Sequence, residues 1–211
     1  GIMSLDDALR LVCARGELME SSKACYGRMI ALRATESEVL DAVKAACCEK
    51  EASIAAVNGA KSVVLSGSRD AVDKILGRLT GVAQQPLNVS HAFHSPLTEA
   101  ILGDYCEHLD RVHMKCPRSI RFISTVLGRE VTDEVTQKDY WCKHITGCVQ
   151  FQKAVEHTWE LGGRRYIEMG PDATLTKLAR TNILKIDSSA RDCGIWSATL
   201  KLSIDERNAI V

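Results

Sequence analysis

Apolar positions divide the chain into helical and extended stretches. Leu5, Ala8, Leu9, Val12 and Met19 fall on a stripe of helical period, which predicts one amphipathic helix over residues 4–21. Ser4 stands ready as its cap, and Asp6 and Asp7 lie near the positive end of its dipole. From residue 28 onward the period shortens. Residues 28–32 read as a strand, 35–48 as a helix opened by Thr35 and Glu36, and 53–57 and 62–66 as two apolar strands joined through Asn58-Gly59. A second helix over 69–79 and an extended piece over 83–89 complete the order βαββαβ, which predicts a ferredoxin-like unit.

Beyond Pro96, the recurrence of Leu97, Ile101, Leu102, Tyr105, Leu109 and Val112 predicts a long helix over 97–114, stopped by Pro117. Residues 120–126 are rich in β-branched side chains and read as a buried strand, with 128–131 turning to add an edge. Residues 151–162 read as a helix, 165–169 as a strand running into Gly170-Pro171, and 174–183 as a further helix. The whole pattern is α/β.

A chain of 211 residues suits one domain, or one and a half, and can bury a substantial core. Its 27 basic and 27 acidic side chains balance, which leaves no basic field for nucleic acid or an anionic membrane. No apolar run is long enough to span a bilayer, and the first residues lack the basic and apolar regions of a signal peptide. A cytoplasmic location is expected. The nine cysteines are scattered, odd in number and without a CxxC pair, so reduced thiols are expected rather than a disulfide framework. Cys106, Glu107, His108, His113 and Cys116 fit no common zinc spacing, and no metal site is expected. No exposed aromatic pair marks the predicted sheet for RNA.

The candidate chemistry lies in Val89-Ser90-His91-Ala92-Phe93-His94-Ser95-Pro96, where two imidazoles stand three residues apart at a strand-to-turn junction. An imidazole there is a natural general base near neutral pH. The stretch resembles the second signature of the acyltransferase domains of polyketide and fatty acid synthases, relatives of malonyl-CoA:acyl carrier protein transacylase. The resemblance implies that His94 activates a serine nucleophile, and that His91 and Phe93 border the acyl group. Phe93 would fill the space that the α-methyl branch of methylmalonyl needs.

Other segments extend the resemblance. Ala14-Arg15-Gly16-Glu17-Leu18-Met19 is similar to the family's helix after the nucleophile motif, which makes Arg15 the clamp on the malonyl carboxylate; a planar guanidinium fork suits that group. Ala55-Ala56-Val57-Asn58-Gly59 and Val63-Val64-Leu65-Ser66-Gly67 resemble its small subdomain. Tyr140-Trp141-Cys142-Lys143-His144-Ile145, with Gly147-Cys148-Val149-Gln150-Phe151, resembles a Tyr-Trp…His…Pro-Val-Arg-Phe segment, from which Cys148 and Gln150 depart. There the backbone carbonyl of His144 would orient the catalytic imidazole, its side chain mattering little. Without the resemblance, Trp141 reads as a core anchor and His144 as a surface residue. Glu168-Met169-Gly170-Pro171 resembles the family's closing turn, with Glu168 structural.

The implied architecture is an incomplete α/β-hydrolase-like large subdomain at 1–25 and 91–184, an inserted ferredoxin-like (βαββαβ) small subdomain at 26–90, and a post-acyltransferase linker at 185–211. The implied reaction moves malonyl from malonyl-CoA, a coenzyme A thioester, to the phosphopantetheine thiol of an acyl carrier protein, with no bound cofactor and with neighbouring synthase domains as further partners. No Gly-x-Ser-x-Gly elbow occurs in the chain, so the serine is expected upstream and this chain alone is expected to be inactive. The alternatives are a noncatalytic acyltransferase-like scaffold that docks carrier protein or synthase domains, and a ferredoxin-like metabolite or RNA-binding module.

An incomplete α/β subdomain leaves apolar edges uncovered. Calorimetry of the isolated chain is expected to show a low, broad transition or concentration-dependent association; a sharp, cooperative melt as a monomer would contradict this expectation.

Overall fold

In the computed structural model, which describes residues 1–199, helix α1 spans Leu5–Ser21 and begins at the expected cap: Ser4 Oγ accepts from the Asp7 amide at 3.1 Å. A four-stranded antiparallel sheet follows. Its parts in chain order are β1 (Arg28–Leu32), α2 (Glu36–Ala45), β2 (Ala52–Gly59), β3 (Ser62–Gly67), α3 (Arg69–Leu76) and β4 (Gln84–Pro86), and the strands lie side by side as β2-β3-β1-β4. Helix α2 starts in a reciprocal cap in which the Glu38 amide donates to Thr35 Oγ1 and the Thr35 amide donates to Glu38 Oε2 at 2.7 Å. Both helices cover one face of the sheet, burying Val39, Val43, Val72 and Ile75 against Ile54 and Leu65. Alternation along the strands and helical period along the helices converge on this core.

The hairpin differs from expectation at one point. Asn58 and Gly59 belong to β2, and the chain turns over the next two residues. Asn182 explains the glycine: its Nδ2 donates to the Asn58 carbonyl at 2.7 Å, and a Cβ at position 59 would meet its Oδ1 at 2.9 Å. As an edge strand, β2 also has a free backbone row. It is met by residue 149, whose amide donates to the Ala55 carbonyl and whose carbonyl accepts from the Val57 amide, both at 2.8 Å.

The long helix expected over 97–114 is split. A 3-10 helix at Pro96–Ile101 runs into α4 (Leu102–Leu109), and Arg111 and Val112 wind down through i to i−3 bonds. The Thr98 hydroxyl donates to the Ser95 carbonyl, a local bond that competes with α-helical pairing at the start. The strand expected over 120–126 is shorter, β5 (Phe122–Ser124), paired with β6 (Arg129–Val131); Ile120 falls before it and is 80% exposed. Next come α5 (Lys138–Thr146), α6 (Phe151–Glu160), β7 (Arg165–Glu168), α7 (Thr174–Ile186), α8 (Ala190–Cys193) and β8 (Ile195–Ala198). The Glu168 carboxylate accepts from the Leu175 and Thr176 amides and so caps α7.

Strand β8 pairs in parallel with β7, and Trp196 stacks on Tyr166 at 4.5 Å between ring centres. Packed structure therefore continues past residue 185, where the linker was expected to begin; the remainder of that linker, 200–211, lies outside the described residues. Two apolar surfaces stay open. On α1, Leu5, Leu9 and Val12 form an exposed stripe, and around β7 and β8 the side chains of Ile167, Met169 and Ile195 are exposed, Met169 by 81%. Parallel sheets are normally covered on both faces. Among the described residues no helix is long and apolar enough to cross a membrane.

Leu65, wholly buried at the centre of the four-stranded sheet, offers a direct test of that core. Leu65→Ala is expected to lower the unfolding free energy by about 2–5 kcal/mol in urea titration, through lost transfer energy and the cavity left behind.

Candidate active site

The segment after β4 is sewn to the residues ahead of β1. The Gly27 amide donates to the Ser90 carbonyl at 3.1 Å, the Ala92 amide donates to the Cys25 carbonyl at 2.8 Å, and Tyr26 and His91 form an antiparallel bridge. With the chain held there, His94 takes a left-handed backbone, φ 55°. For a residue with a Cβ this conformation costs on the order of 1–3 kcal/mol and persists only where its surroundings impose it. They do so through side chains. Ser95 Oγ donates back to the Ala92 carbonyl at 2.6 Å, Thr98 Oγ1 donates to the Ser95 carbonyl at 2.7 Å, and Ser53 Oγ, from β2, donates to the His94 carbonyl at 3.1 Å.

The His94 ring is held from the other side. Its Nδ1 lies 2.9 Å from the Gly147 carbonyl oxygen. A carbonyl can only accept, so Nδ1 carries the proton and Nε2 keeps the free lone pair of a base. The orienting carbonyl is therefore that of Gly147, which corrects the expectation that it would be that of His144. Helix α5 ends at Thr146, and Gly147 turns into an extended conformation (φ −75°, ψ 149°) that carries its carbonyl clear of the helix. Its amide still donates to the Lys143 carbonyl at 2.7 Å, and a Cβ there would come within 2.6 Å of the same oxygen, which is why a glycine fits. Burial, and secondarily the Arg15 charge, hold the His94 pKa below the ordinary imidazole value against the opposing pull of the Gly147 bond.

Arg15 is half-buried on α1, on the wall of a cavity of about 410 Å³ whose other walls include Leu11, Tyr105, Phe122, Trp141 and His144. Among the described residues it forms no ion pair. A guanidinium among mostly apolar walls without a carboxylate partner can attract an anion.

The side chain of His144 has a defined place that its sequence context did not announce. Its ring stacks on Trp141 at 5.8 Å, and its Nε2 lies 3.2 Å from Tyr140 Oη, which itself donates to buried Ser124 Oγ at 2.8 Å. The phenol proton being used on Ser124, His144 Nε2 is the donor in its own bond. Burial first, then Arg15 and His94, push its pKa down to about 4. The one signal for this arrangement in the sequence is the i, i+4 spacing of Tyr140 and His144 on a helix.

His91 and Phe93 stand apart from the Arg15 cavity. His91 is 5% exposed, edge-on to Tyr26 at 4.8 Å, with Nδ1 against Ser90 Oγ at 2.8 Å. Phe93 packs between the cluster of Met19, Tyr105 and Ile145 and that of Met29, Ala55 and Val64. All nine cysteines are free thiols. Cys106 and Cys142 Sγ lie 3.0 Å apart, and burial, then this neighbour, push the Cys142 thiol up to about 12. Among the described residues no group of three or more His, Cys, Asp or Glu side chains could hold a metal ion.

Residues 1–195 match the sequence profile described as the acyl transferase domain. The spectinabilin polyketide synthase system protein NorB of Streptomyces orinoci is 39% identical over 183 residues, covering 85% of this chain and 8% of NorB. Among solved structures, the acyltransferase domain from the second module of the salinomycin polyketide synthase superposes with a TM-score of 0.89 at 36% identity, covering 99% of this chain and 47% of that one. The acyl transferase domain of SpnD, in complex with 2-(pent-4-yn-1-yl)malonyl, superposes with a TM-score of 0.83 at 28% identity, covering 97% and 48%. This chain thus spans about half the length of the solved domains and a small part of the synthase.

The depressed imidazoles carry a pH signature. Unfolded, His144 regains an ordinary pKa near 6.5, so between there and about 4 the unfolded chain binds more protons than the folded one. Stability is therefore present in full above neutrality and is lost as pH falls from about 6.5 toward 4, with His94 acting in the same direction. Urea midpoints are expected to fall between pH 7 and pH 5, and to fall less in His144→Gln.

Proposed function

The chain belongs to the acyl transferase domain family, and on that premise we propose that it is the part of a malonyl-type acyltransferase domain that carries the general base and the carboxylate clamp. The observation that carries this reading is the unpaired Arg15 guanidinium in a largely apolar cavity, with the imidazoles of His94 and His144 close enough to feel its charge. A malonyl unit brings the carboxylate such a site lacks, and a substituted malonyl occupies the solved SpnD domain.

The reaction would run in two halves. His94 Nε2 takes the proton of a serine hydroxyl supplied by a segment upstream of residue 1, and the serine oxygen attacks the thioester carbonyl of malonyl-CoA. When the tetrahedral intermediate collapses, the C–S bond breaks and the imidazolium returns its proton to the coenzyme A thiol. The phosphopantetheine thiol of an acyl carrier protein then gives its proton to His94, attacks the acyl-serine ester, and leaves as the malonyl thioester while the serine recovers its proton. The low pKa of His94 keeps the imidazole in its basic form between these steps. Arg15 holds the malonyl carboxylate through both. No resident cofactor takes part.

The same reading makes residues 26–90 the small subdomain and 91–184 part of an α/β-hydrolase-like large subdomain. The open apolar faces of α1 and of the β7–β8 pair support strands of that large subdomain packing there. His91 and Phe93 border the acyl group once the serine-bearing segment is in place, and Phe93 favours malonyl over its methyl-branched homologue. Acyl carrier protein and neighbouring synthase domains are the partners, and the cytoplasm is the setting.

Intact-mass measurement after incubation with malonyl-CoA tests the reading, on this chain and on one extended upstream through the serine. The extended protein is expected to gain one malonyl group and to lose it to carrier protein. If it gains none, the scaffold reading takes over; if the short chain acylates at a defined residue, the nucleophile lies within it. Arg15→Gln in the extended protein is expected to slow malonyl loading about 100-fold, the loss of one charge-assisted bidentate contact of about 3 kcal/mol. Acetyl loading should be nearly unaffected. Equal loss for both would remove Arg15 from the clamp.

A further inference from the structure

We propose that Ser53, on the edge strand of the four-stranded sheet, is a positioning residue for His94, setting the base through its backbone carbonyl. The proposal rests on the reading of His94 as the base. Three observations meet on β2. Ser53 Oγ donates to the His94 carbonyl at 3.1 Å and is, among the described residues, the one hydrogen bond that carbonyl receives. Two and four residues further along, at Ala55 and Val57, β2 bonds to Val149, two residues beyond the Gly147 carbonyl that holds the His94 ring. Between the two contacts the strand slips register against β3, from Ile54 opposite Leu65 to Ala56 opposite Val64. An irregularity of this kind bends a strand and re-aims its side chains.

One short strand therefore grips the backbone of His94 directly and, through Val149, the segment that holds its ring. The distance between Nδ1 and the Gly147 oxygen is set by this common rail. Because His94 sits in a left-handed conformation, its peptide turns toward the ordinary regions of backbone space when the restraint on its carbonyl is removed. The ring then leaves the Gly147 oxygen. The groups that act on the ring are Arg15 from α1, His144 from α5 and that oxygen. The oxygen alone favours the imidazolium, so weakening its bond moves the His94 titration to lower pH. The Arg15 cavity is not lined by Ser53, so substrate affinity is left alone.

The test is a histidine NMR titration of the 211-residue chain beside steady-state kinetics of the complete domain, for Ser53→Ala, Ser53→Thr and Ser66→Ala. Ser66 pairs with Ser53 across the sheet and its buried hydroxyl has no hydrogen-bond partner, so it controls for deletion of a hydroxyl from the same place. In Ser53→Ala the His94 titration is expected to move to lower pH and kcat to fall about tenfold with KM unchanged, the scale of loss from a displaced catalytic group. Threonine, which keeps the hydroxyl, should restore both, and Ser66→Ala should change neither. An unshifted His94 titration in Ser53→Ala, or an equal shift in Ser66→Ala, overturns the proposal. Should the alanine variant fail to fold, Ser53→Cys, close in size and a weak donor, is read in its place by the same criteria. If the complete domain transfers no acyl group in any form, the function assigned to the site fails while the titration still decides the role of Ser53.

Discussion

The left-handed turn at His94 is the constraint on which the site depends. A β-carbon in that region of backbone space is tolerated only under restraint, and here the restraint comes from three directions: the bridge to Tyr26, the Ser95 and Thr98 hydroxyls beneath it, and Ser53 beside it. The three hydroxyls are buried or half-buried with their hydrogen bonds made, which the interior requires. Release of any one leaves an unsatisfied group as well as a freer turn. Strain and satisfaction are coupled at this point, and the imidazole inherits its direction from both.

Electrostatics around the turn follows from burial. Two imidazoles and one guanidinium share a partly dry corner with no carboxylate among them, so the permanent charge is carried by Arg15 and the imidazoles are held neutral near pH 7. An unpaired cation beside neutral bases is stable because arginine does not give up its proton. Had a lysine stood at position 15, burial would have offered the alternative of neutralising it. The corner thus keeps an attraction for anions without a second positive charge to repel a proton acceptor.

Much of this was legible in the sequence because the relevant signals are local. Ser4 and the Thr35/Glu38 box mark helix starts within three or four residues of themselves, and the apolar runs at 53–57 and 62–66 mark the sheet. Motif wording singles out His94 and Arg15 as candidates, and the fold places both imidazole and guanidinium in one corner. What escaped was set mostly by distant partners, and in one place by a local side-chain bond. Asn58-Gly59 reads as a turn, but Asn182 claims its backbone; His144 reads as the residue whose carbonyl accepts from the imidazole, but the end of α5 hands that task to Gly147 and stacks the His144 ring on Trp141. Residues 97–101 read as α-helix until the Ser95 carbonyl captures the Thr98 hydroxyl. Ile195–Ala198 reads as linker until β7 is there to pair with it.

The bonds that β2 makes along its free edge also bear on the order in which the molecule is built. Ser53 meets His94 across 41 residues, Ala55 and Val57 meet Val149, and the Asn58 carbonyl meets Asn182 across 124 residues. The four strands and two helices of 28–86 need nothing beyond themselves to pair and can close early, since their contacts are near in sequence. The His94 ring has no carbonyl to hold it until Gly147 has left the ribosome, and the end of β2 waits for α7. During synthesis the sheet stands finished with one edge open, and the His94 imidazole is the late piece, seated when later residues arrive to hold it.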